Sequence, residues 1–268
     1  MRVTLEHVGI AYEESAGEKV RALADVSLEV TPGVTGLMGR TGSGKTTLLE
    51  VMAGATTPDA GRVRRDEGEV GLVFQLPERQ FFEATVEREV TFGLAARGLG
   101  VDEARRRAGR ALSLMGLSLD DLAHRSPFSL SGGQQRRVAI ASVLALRHAL
   151  LLLDEPTAGL DPRSRRVCLS AVRAAADAGA TVVMASHDAN ALAEVADRLV
   201  VLEGGRVTLD GPARELLADA SLMRVHGLEP ACAARAAEAL RRAGADVPGA
   251  PLTAEELAAA IVRGRGLA

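Results

Sequence analysis

The sequence predicts an α/β fold built on a mainly parallel sheet with helices on both faces. Short apolar segments alternate with helical patterns over much of the chain, and a glycine-rich loop joins a strand to a helix. Strands that alternate with helices in this way form parallel sheets. The predicted strands are 34–38, 69–75, 150–154 and 181–186, with further strands near 199 and 207; the predicted helices are 46–53, 163–178 and 189–196.

The composition is that of a folded globular chain. The 268 residues are 47% hydrophobic and 25% charged, which is enough to bury a large core and leaves room for a small appendage. The net charge of −3 does not favour a nucleic-acid partner. Cys168 and Cys232 are too far apart in sequence for a zinc or disulfide motif.

The N-terminus lacks the apolar core of a signal peptide, and no apolar run approaches the ~18 residues that span a bilayer. We therefore expect a soluble protein that meets a membrane only through partners.

Three regions depart from the simple α/β alternation. Residues 3–12 and 24–30 read as two strands joined by a polar loop over 13–19, and residues 76–147 read as an inserted, arginine-rich helical subdomain. Beyond residue 217 the chain predicts a helix over 230–243, a loop over 244–251 and a last helix. Thr253 and Glu256 fit a capping box for that helix, with Leu257 and Ile261 on one face.

The glycine-rich loop has the spacing of a phosphate-binding loop. It runs Gly39-Arg40-Thr41-Gly42-Ser43-Gly44-Lys45-Thr46, followed by Thr47 in the predicted helix. Glycines let successive N–H groups turn toward a phosphate, and the helix N-terminus adds its positive end. Lys45 is one of only two lysines among 32 basic residues; it can reach the β- and γ-phosphates, and Thr46 can bind Mg²⁺. The alternative is a glycine turn without a ligand.

Two carboxylates end the apolar segment 150–154. In a parallel sheet they lie beside the phosphate loop, because ligands bind beyond the carboxyl ends of strands. Asp154 is then placed to hold Mg²⁺, and Glu155 to take a proton from an attacking water. A solvated acidic strand end is the alternative interpretation.

The segment Leu130-Ser131-Gly132-Gly133-Gln134 resembles the LSGGQ signature of the ABC ATPases. This resemblance implies a P-loop NTPase fold with an ABC-type helical subdomain, an antiparallel β-subdomain and a C-terminal helical appendage. It also implies ATP and Mg²⁺ as cofactors. In the family, the signature caps ATP that is held by the opposite subunit, so two composite sites are expected at a dimer interface.

Four further positions match motifs of the same family in order. Gln75 matches the Q-loop glutamine that contacts Mg²⁺ and water, Asp161 ends the D-loop, His187 matches the γ-phosphate histidine, and Tyr12 matches the aromatic that stacks on adenine. Taken alone, His187 and Tyr12 could be structural. The resemblance covers residues 1–217 as the ATPase domain and leaves 218–268 as a helical dimerisation region.

The segment from Val73 to Gly93 is similar to the ATPases of energy-coupling factor importers of vitamins or metal ions. The similarity implies a second ATPase subunit, identical or related, with an integral membrane T-subunit and a substrate-binding membrane subunit. The ATPase would lie on the cytoplasmic face of the membrane. Phe81, Phe82 and Glu87 are expected in the groove for a T-subunit helix, although the two phenylalanines could instead be core.

Two other functions are weighed against this one. A conventional ABC importer or exporter would use the same chemistry with other partners. A non-transport ABC protein of chromosomes or ribosomes is disfavoured, because the chain has one ATPase domain, no sustained heptads and an acidic balance.

Overall fold

A computed structural model describes residues 1–13, 19–76 and 80–264, and its strands form two sheets. The strands are β1 (Val3–Glu13), β2 (Lys19–Val30), β3 (Gly33–Met38), β4 (Ala60–Arg65), β5 (Val70–Val73), β6 (Leu150–Asp154), β7 (Thr181–Ala185), β8 (Arg198–Glu203) and β9 (Arg206–Pro212). The helices are α1 (Lys45–Ala53), α2 (Val86–Ala96), α3 (Val101–Leu114), α4 (Leu119–Leu122), α5 (Gly132–Ala145), α6 (Pro162–Asp177), α7 (Ala189–Val195), α8 (Ala213–Ala218), α9 (Ala220–Val225), α10 (Cys232–Arg242) and α11 (Ala254–Gly264).

The larger sheet has the order β5-β6-β7-β3-β8-β9 and is parallel except for β9, which pairs antiparallel with β8. All five residues of β6 and of β7 are buried, as expected for strands covered on both faces. In register, Asp154 pairs with Ala185, and Ala185 pairs with Leu37. The carboxyl ends of β3, β6 and β7 therefore meet at one edge, and the α/β prediction is confirmed.

The smaller sheet is antiparallel, with the order β2-β1-β4. Its apolar face and one face of the larger sheet share a core with α1, whose Leu48, Leu49 and Met52 are fully buried. This packing holds the helix that follows the phosphate loop between two sheets.

Some boundaries of this smaller sheet differ from those predicted from the sequence. β2 begins at Lys19 rather than 24, and β4 was not predicted at all. Most of β4 is exposed, so its sequence lacks the apolar alternation that identifies a half-buried strand. Of the predicted loop over 13–19, residues 14–18 lie outside the described residues.

The chain between β5 and β6 forms the helices α2, α3, α4 and α5, which pack into one apolar cluster. Leu94, Ala108, Leu112, Met115 and Ile140 are fully buried there. α5 reaches back to the larger sheet, and α2 begins with the Thr85 hydroxyl accepting from the Arg88 N–H.

The C-terminal segment forms four short helices, α8 to α11. Leu257 and Ile261 of α11 pack together against Ala237, Val247 and Ala260, as the one-face prediction requires. The helix over 230–243 begins later than predicted, at Cys232.

The predicted capping box is only half formed. The Thr253 hydroxyl accepts from the Glu256 N–H at 3.2 Å, but the Glu256 carboxylate accepts from the Leu252 N–H and from Arg214 instead of the Thr253 N–H. No helix in the described part of the chain has the length and apolar character needed to cross a membrane.

Candidate functional site

The phosphate loop lies between β3 and α1, as predicted, and its backbone is curled. Gly39, Gly42 and Gly44 have φ values of 157°, 81° and 102°, and the last two lie in the left-handed region that favours glycine. A Cβ on Gly44 would come within 2.3 Å of the Ala22 carbonyl oxygen, whereas one on Gly42 would meet no atom within 4 Å. Gly44 thus permits close packing on β2, and Gly42 leaves an open face.

Several backbone contacts hold the loop in place. The Ser43 N–H donates to the Arg40 carbonyl at 3.1 Å, and the Gly205 N–H donates to the Ser43 carbonyl at 3.2 Å. The Ser43 hydroxyl oxygen is buried, with no hydrogen-bond partner among the described residues. A buried hydroxyl without a partner has an unused capacity to bond a ligand, because burial without a hydrogen bond is costly.

Helix α1 begins at Lys45 with Gly44 as its N-cap. Glycine has no side chain to accept from the first N–H groups of the helix, including those of Thr46 and Thr47. Unsatisfied N–H groups and the positive end of the helix dipole together attract an anion. The nine-residue helix therefore presents phosphate donors at the loop.

The Lys45 ammonium folds over its own loop. It donates to the carbonyls of Gly39 at 2.7 Å and Arg40 at 3.2 Å, while the exposed Arg40 and Thr41 side chains flank the opening. Burial lowers the pKa of the Lys45 ammonium, and the negative charges of Glu155 and Asp154 act in the opposite direction. The Lys45 ammonium is thus near enough to Glu155 and Asp154 for their negative charges to act on it.

Thr46 and Asp154 lie together although they are far apart in sequence. The Thr46 hydroxyl donates to the Asp154 carboxylate at 2.6 Å. Burial is the main cause that raises the pKa of Asp154, and the Thr46 hydrogen bond opposes it. A hydroxyl and a carboxylate are oxygen ligands of the kind Mg²⁺ prefers, usually with phosphates and waters completing its shell.

No group of three or more His, Cys, Asp or Glu side chains in the described residues could hold a metal by itself. A cation bound here would therefore depend on ligand oxygens as well as on the protein. The donor set fits Mg²⁺ bound with a phosphate rather than a zinc centre.

Glu155 lies at the end of β6 with an unusual backbone. Its φ is 49°, in the left-handed region, and its N–H donates to the Ala185 carbonyl at 3.0 Å. Non-glycine residues in that region carry local strain and concentrate at functional sites.

The Glu155 carboxylate contacts the residues that follow β7. One oxygen accepts from the His187 N–H at 2.9 Å and lies 2.8 Å from the His187 Nδ1, and the other accepts from the Ser186 hydroxyl at 3.3 Å. Glu155 is 7% exposed, whereas the His187 ring is largely exposed. The structure thus brings together a buried carboxylate and an imidazole that are 32 residues apart in the sequence.

Gln75 lies beyond the end of its strand, which corrects the sequence prediction. β5 ends at Val73, and Gln75 is an exposed residue on the following loop. Its backbone carbonyl accepts from the Arg136 guanidinium at 2.6 Å. The Gln75 side chain therefore lies on a loop whose backbone is bonded by Arg136.

Ser131 caps helix α5 in a complete capping box. Its hydroxyl accepts from the Gln134 N–H at 3.3 Å, and its own N–H donates to the Gln134 side-chain oxygen at 3.1 Å. Ser131 and Gly132 are exposed, and a Cβ on Gly132 would meet nothing within 4 Å, while one on Gly133 would approach Leu160 at 3.8 Å. The signature is an open helix N-terminus suited to an incoming anion.

The signature is not joined to the phosphate loop of the same chain. Within residues 1–13, 19–76 and 80–264, no hydrogen bond or ion pair links 131–134 to 39–46.

Asp161 caps helix α6. Its carboxylate accepts from the N–H groups of Arg163 and Ser164 at 2.9 and 3.0 Å and from the Ser164 hydroxyl at 2.6 Å, and these bonds lower its pKa. The side chain is therefore engaged in shaping the turn before α6.

Tyr12 is an exposed aromatic residue of the smaller sheet. It pairs with Val20 near the end of β1 and is 44% exposed, so it is not a core aromatic. Because residues 14–18 after it are outside the described part, the structure leaves its role as a prediction.

One residue of the site region was not identified from the sequence. Arg136 of α5 is 7% exposed and bonds the carbonyls of both Gln75 and Ala158. The sequence carried no signal for it, because nearly all of the 32 basic residues in the chain are arginine.

Comparison with known proteins places these features in one family. Residues 23–158 match the ABC transporter family. The chain is 42% identical over 276 residues to the energy-coupling factor transporter ATP-binding protein EcfA2 of Symbiobacterium thermophilum, covering 97% of this chain and 96% of that protein. It is 37% identical over 281 residues to the EcfA2 protein of Streptococcus agalactiae, covering 98% and 100%.

Two solved structures share the fold. A dimeric post-hydrolysis state of the ATP-binding cassette MJ0796 with ADP and Pi superposes with a TM-score of 0.73 at 29% identity, covering 79% of this chain and 99% of that one. Clostridium perfringens cbiO1, part of the ABC transporter complex cbiONQ, gives a TM-score of 0.69 at 32% identity, covering 83% and 93%.

Proposed function

The chain belongs to the ABC transporter ATPases and is similar over its whole length to energy-coupling factor ATP-binding subunits, and on this premise we propose the following roles for its residues. It binds and hydrolyses ATP to power an energy-coupling factor importer of a vitamin or metal ion. The observation that carries the catalytic proposal is the convergence of Lys45, Thr46, Asp154, Glu155 and His187 at one edge of the sheet.

The phosphate loop and α1 bind the β- and γ-phosphates of ATP, with Lys45 as the cation. Mg²⁺ supplies charge neutralisation between the phosphates when it is bound; Thr46, Asp154 and Gln75 would hold it. Glu155 accepts a proton from the attacking water, and His187 is oriented by Glu155 toward the γ-phosphate. Tyr12 contributes the face on which adenine stacks.

A second ATPase subunit completes each site. Ser131 and Gly132, which are exposed, and the half-buried Gly133 and Gln134 of one subunit cap the γ-phosphate held by the other, and Asp161 shapes the adjoining turn. The partner is either a second copy of this chain or a related one. Residues 1–217 form the ATPase domain, and 218–268 stabilise the dimer through the packed helices α10 and α11.

A groove on the helical subdomain receives a helix of the integral membrane T-subunit. The groove has a volume of about 210 Å³ and is lined by Phe81, Phe82 and Phe92, among others. Phe81 is 8% exposed and is a core residue, so the proposed contact with the T-subunit helix is assigned to Phe82, which is 61% exposed. Phe82 and Phe92 make an edge-to-face pair at 4.7 Å, a partly exposed aromatic anchor of the kind used in helix-in-groove contacts.

Glu87 lies on α2, the helix that also contains Phe92, and is ion-paired to Arg105.

A substrate-binding membrane subunit completes the importer, and the ATPase lies on the cytoplasmic face, in contact with the membrane only through these partners.

Partner capture tests this proposal. Tagged Glu155→Gln protein, isolated from membranes with ATP and Mg²⁺, is expected to bring down a second ATPase subunit and two integral membrane proteins. Capture of a periplasmic binding protein system or of no membrane protein would refute the importer assignment.

Phe82→Ala tests the groove. Loss of the membrane subunits is expected while ATP-dependent ATPase pairing persists. Leu114→Ala, at a similarly exposed leucine of α3, is the matched control and should retain the membrane subunits.

Removing residues after 220 tests the appendage. ATPase pairing without ATP should weaken, and an unchanged subunit equilibrium would refute the dimerisation role.

A further inference from the structure

Arg136 is a buried cation in the first turns of the signature helix α5. The residue is 7% exposed, although Ser131, the N-cap of the same helix, is exposed. Burying a guanidinium costs free energy unless its donors are bonded, so the partners of Arg136 indicate what the burial serves.

The two terminal nitrogens of Arg136 bond different loops of the ATPase core. Nη2 donates to the Gln75 carbonyl at 2.6 Å, and Nη1 donates to the Ala158 carbonyl. Gln75 is 61 residues away on the loop after β5, and Ala158 is 22 residues away, before Asp161. One rigid planar group thus joins the signature helix to two loops that flank the nucleotide site.

Ala158, which Arg136 bonds, is also bonded to the backbone of Glu155, the proposed base. The Ala158 N–H donates to the Glu155 carbonyl at 3.1 Å, so Ala158 is held on one side by Arg136 and on the other by Glu155. Burial raises the pKa of the Cys168 thiol on α6 to about 12, and the Arg136 charge opposes that rise.

We infer that Arg136 is a positioning residue that sets the Gln75 loop and the 158–161 turn according to the orientation of the signature helix. The inference rests on the proposed roles of Gln75, Glu155 and the signature. A rotation of α5 relative to the sheet must move the guanidinium, and both carbonyls must follow it or lose a charge-assisted hydrogen bond. The arrival of a neighbouring subunit at Ser131 is thereby transmitted to the catalytic loops of the same chain.

Arg137 provides a matched control. It is the next residue of α5 and donates to the carbonyls of Gly133 at 3.2 Å, Met115 at 3.1 Å and Gly116 at 3.5 Å. These three acceptors belong to the helical subdomain, whereas the Gln75 and Ala158 carbonyls that Arg136 bonds belong to the ATPase core. The two variants therefore separate the loss of an arginine on α5 from the loss of the link to the core.

The test compares Arg136→Gln and Arg137→Gln in melting temperature, ATP affinity, KM and kcat. For Arg136→Gln we expect kcat to fall about tenfold or more, the change produced by one lost charge-assisted hydrogen bond. ATP affinity and KM should stay within about twofold, because the phosphate loop is untouched. Arg137→Gln should lower kcat by a smaller factor than Arg136→Gln, because Arg137 bonds neither the Gln75 loop nor the 158–161 turn.

A double variant tests the route of the effect. In a Gln75→Ala background, Arg136→Gln should reduce kcat by a smaller factor than in the wild type, because part of what it positions is already absent. A wild-type kcat in Arg136→Gln would overturn the inference. Equal losses of kcat, ATP affinity and melting temperature, fully additive with Gln75→Ala, would also overturn it and indicate a purely structural arginine.

Glu155→Gln in the same series keeps the two proposals apart. If Glu155→Gln retains turnover, the assignment of the base fails. If Glu155→Gln is inactive and Arg136→Gln has wild-type kcat, the positioning role alone fails.

Discussion

Replacing Glu155 with glutamine tests the chemical centre most directly. Glutamine keeps the volume and one oxygen that can accept from the His187 N–H, bonded at 2.9 Å to Glu155 in the native chain. The loss in folding is therefore about 1 kcal/mol, the difference between a charge-assisted and a neutral hydrogen bond. The loss in catalysis is larger, because an amide cannot accept the proton of the attacking water.

A general base contributes about 10²–10⁴-fold to a rate. This corresponds to about 3–5 kcal/mol of transition-state free energy, since each tenfold in rate is about 1.4 kcal/mol. The expected change in kcat thus clearly exceeds the expected change in stability. ATP affinity should not fall, because the substitution removes a negative charge near the phosphates and leaves Lys45 in place.

The assay is single-turnover phosphate release, with the subunit mass in ATP measured by light scattering. Slow release and accumulation of an ATP-bound dimer are expected. Glu50→Gln is the control, since Glu50 lies on α1 beyond Lys45 and bonds only the Thr56 hydroxyl at 3.3 Å among side chains of the described region. A kcat in Glu155→Gln within about tenfold of the wild type would refute the assignment of the base.

Three further predictions follow from the site. Lys45→Ala should weaken ATP binding about 10–100-fold, the value of one charged hydrogen bond, and unchanged affinity in a nucleotide titration would contradict the phosphate-loop assignment. Ser131→Arg should abolish hydrolysis while a single subunit still binds nucleotide, and measurable turnover would exclude the signature from the site. Because burial raises the pKa of Asp154, the folded chain holds that proton more tightly than the unfolded chain. The melting temperature of the wild type, relative to that of Asp154→Asn, should therefore be highest below the ordinary aspartate pKa and should fall as the pH rises through the raised pKa of Asp154. Thermal melts of both proteins over about pH 4–8 without Mg²⁺ measure this difference. A difference that increases with pH would refute the prediction.

The order of motifs along the chain was enough to predict the fold class and the edge of the sheet at which we propose that phosphates bind. A glycine loop between a strand and a helix, and the apolar segment ending at Asp154, each carry a local pattern that requires no partner elsewhere. The parallel sheet then brings the ends of β3, β6 and β7 to one edge, so the closeness of Thr46 and Asp154 follows from topology.

Other features depended on contacts between distant residues. β4 has no apolar alternation and forms by pairing with β1, and Gln75 lies beyond the end of β5, with its carbonyl bonded by the distant Arg136. Glu155 bonds His187 and has a left-handed backbone, and no local pattern in the sequence indicates either feature.

The sequence by itself was enough to propose which residue types meet the phosphates, because that proposal rests on short motifs of fixed spacing. Only the tertiary structure decided how the loops that carry those residues are held, since a buried arginine such as Arg136 is identified by the carbonyls around it and not by its neighbours in the chain. The same distinction separates Phe81 from Phe82: adjacent residues of one type, one packed in the core and one exposed, because the surrounding helices cover only the first.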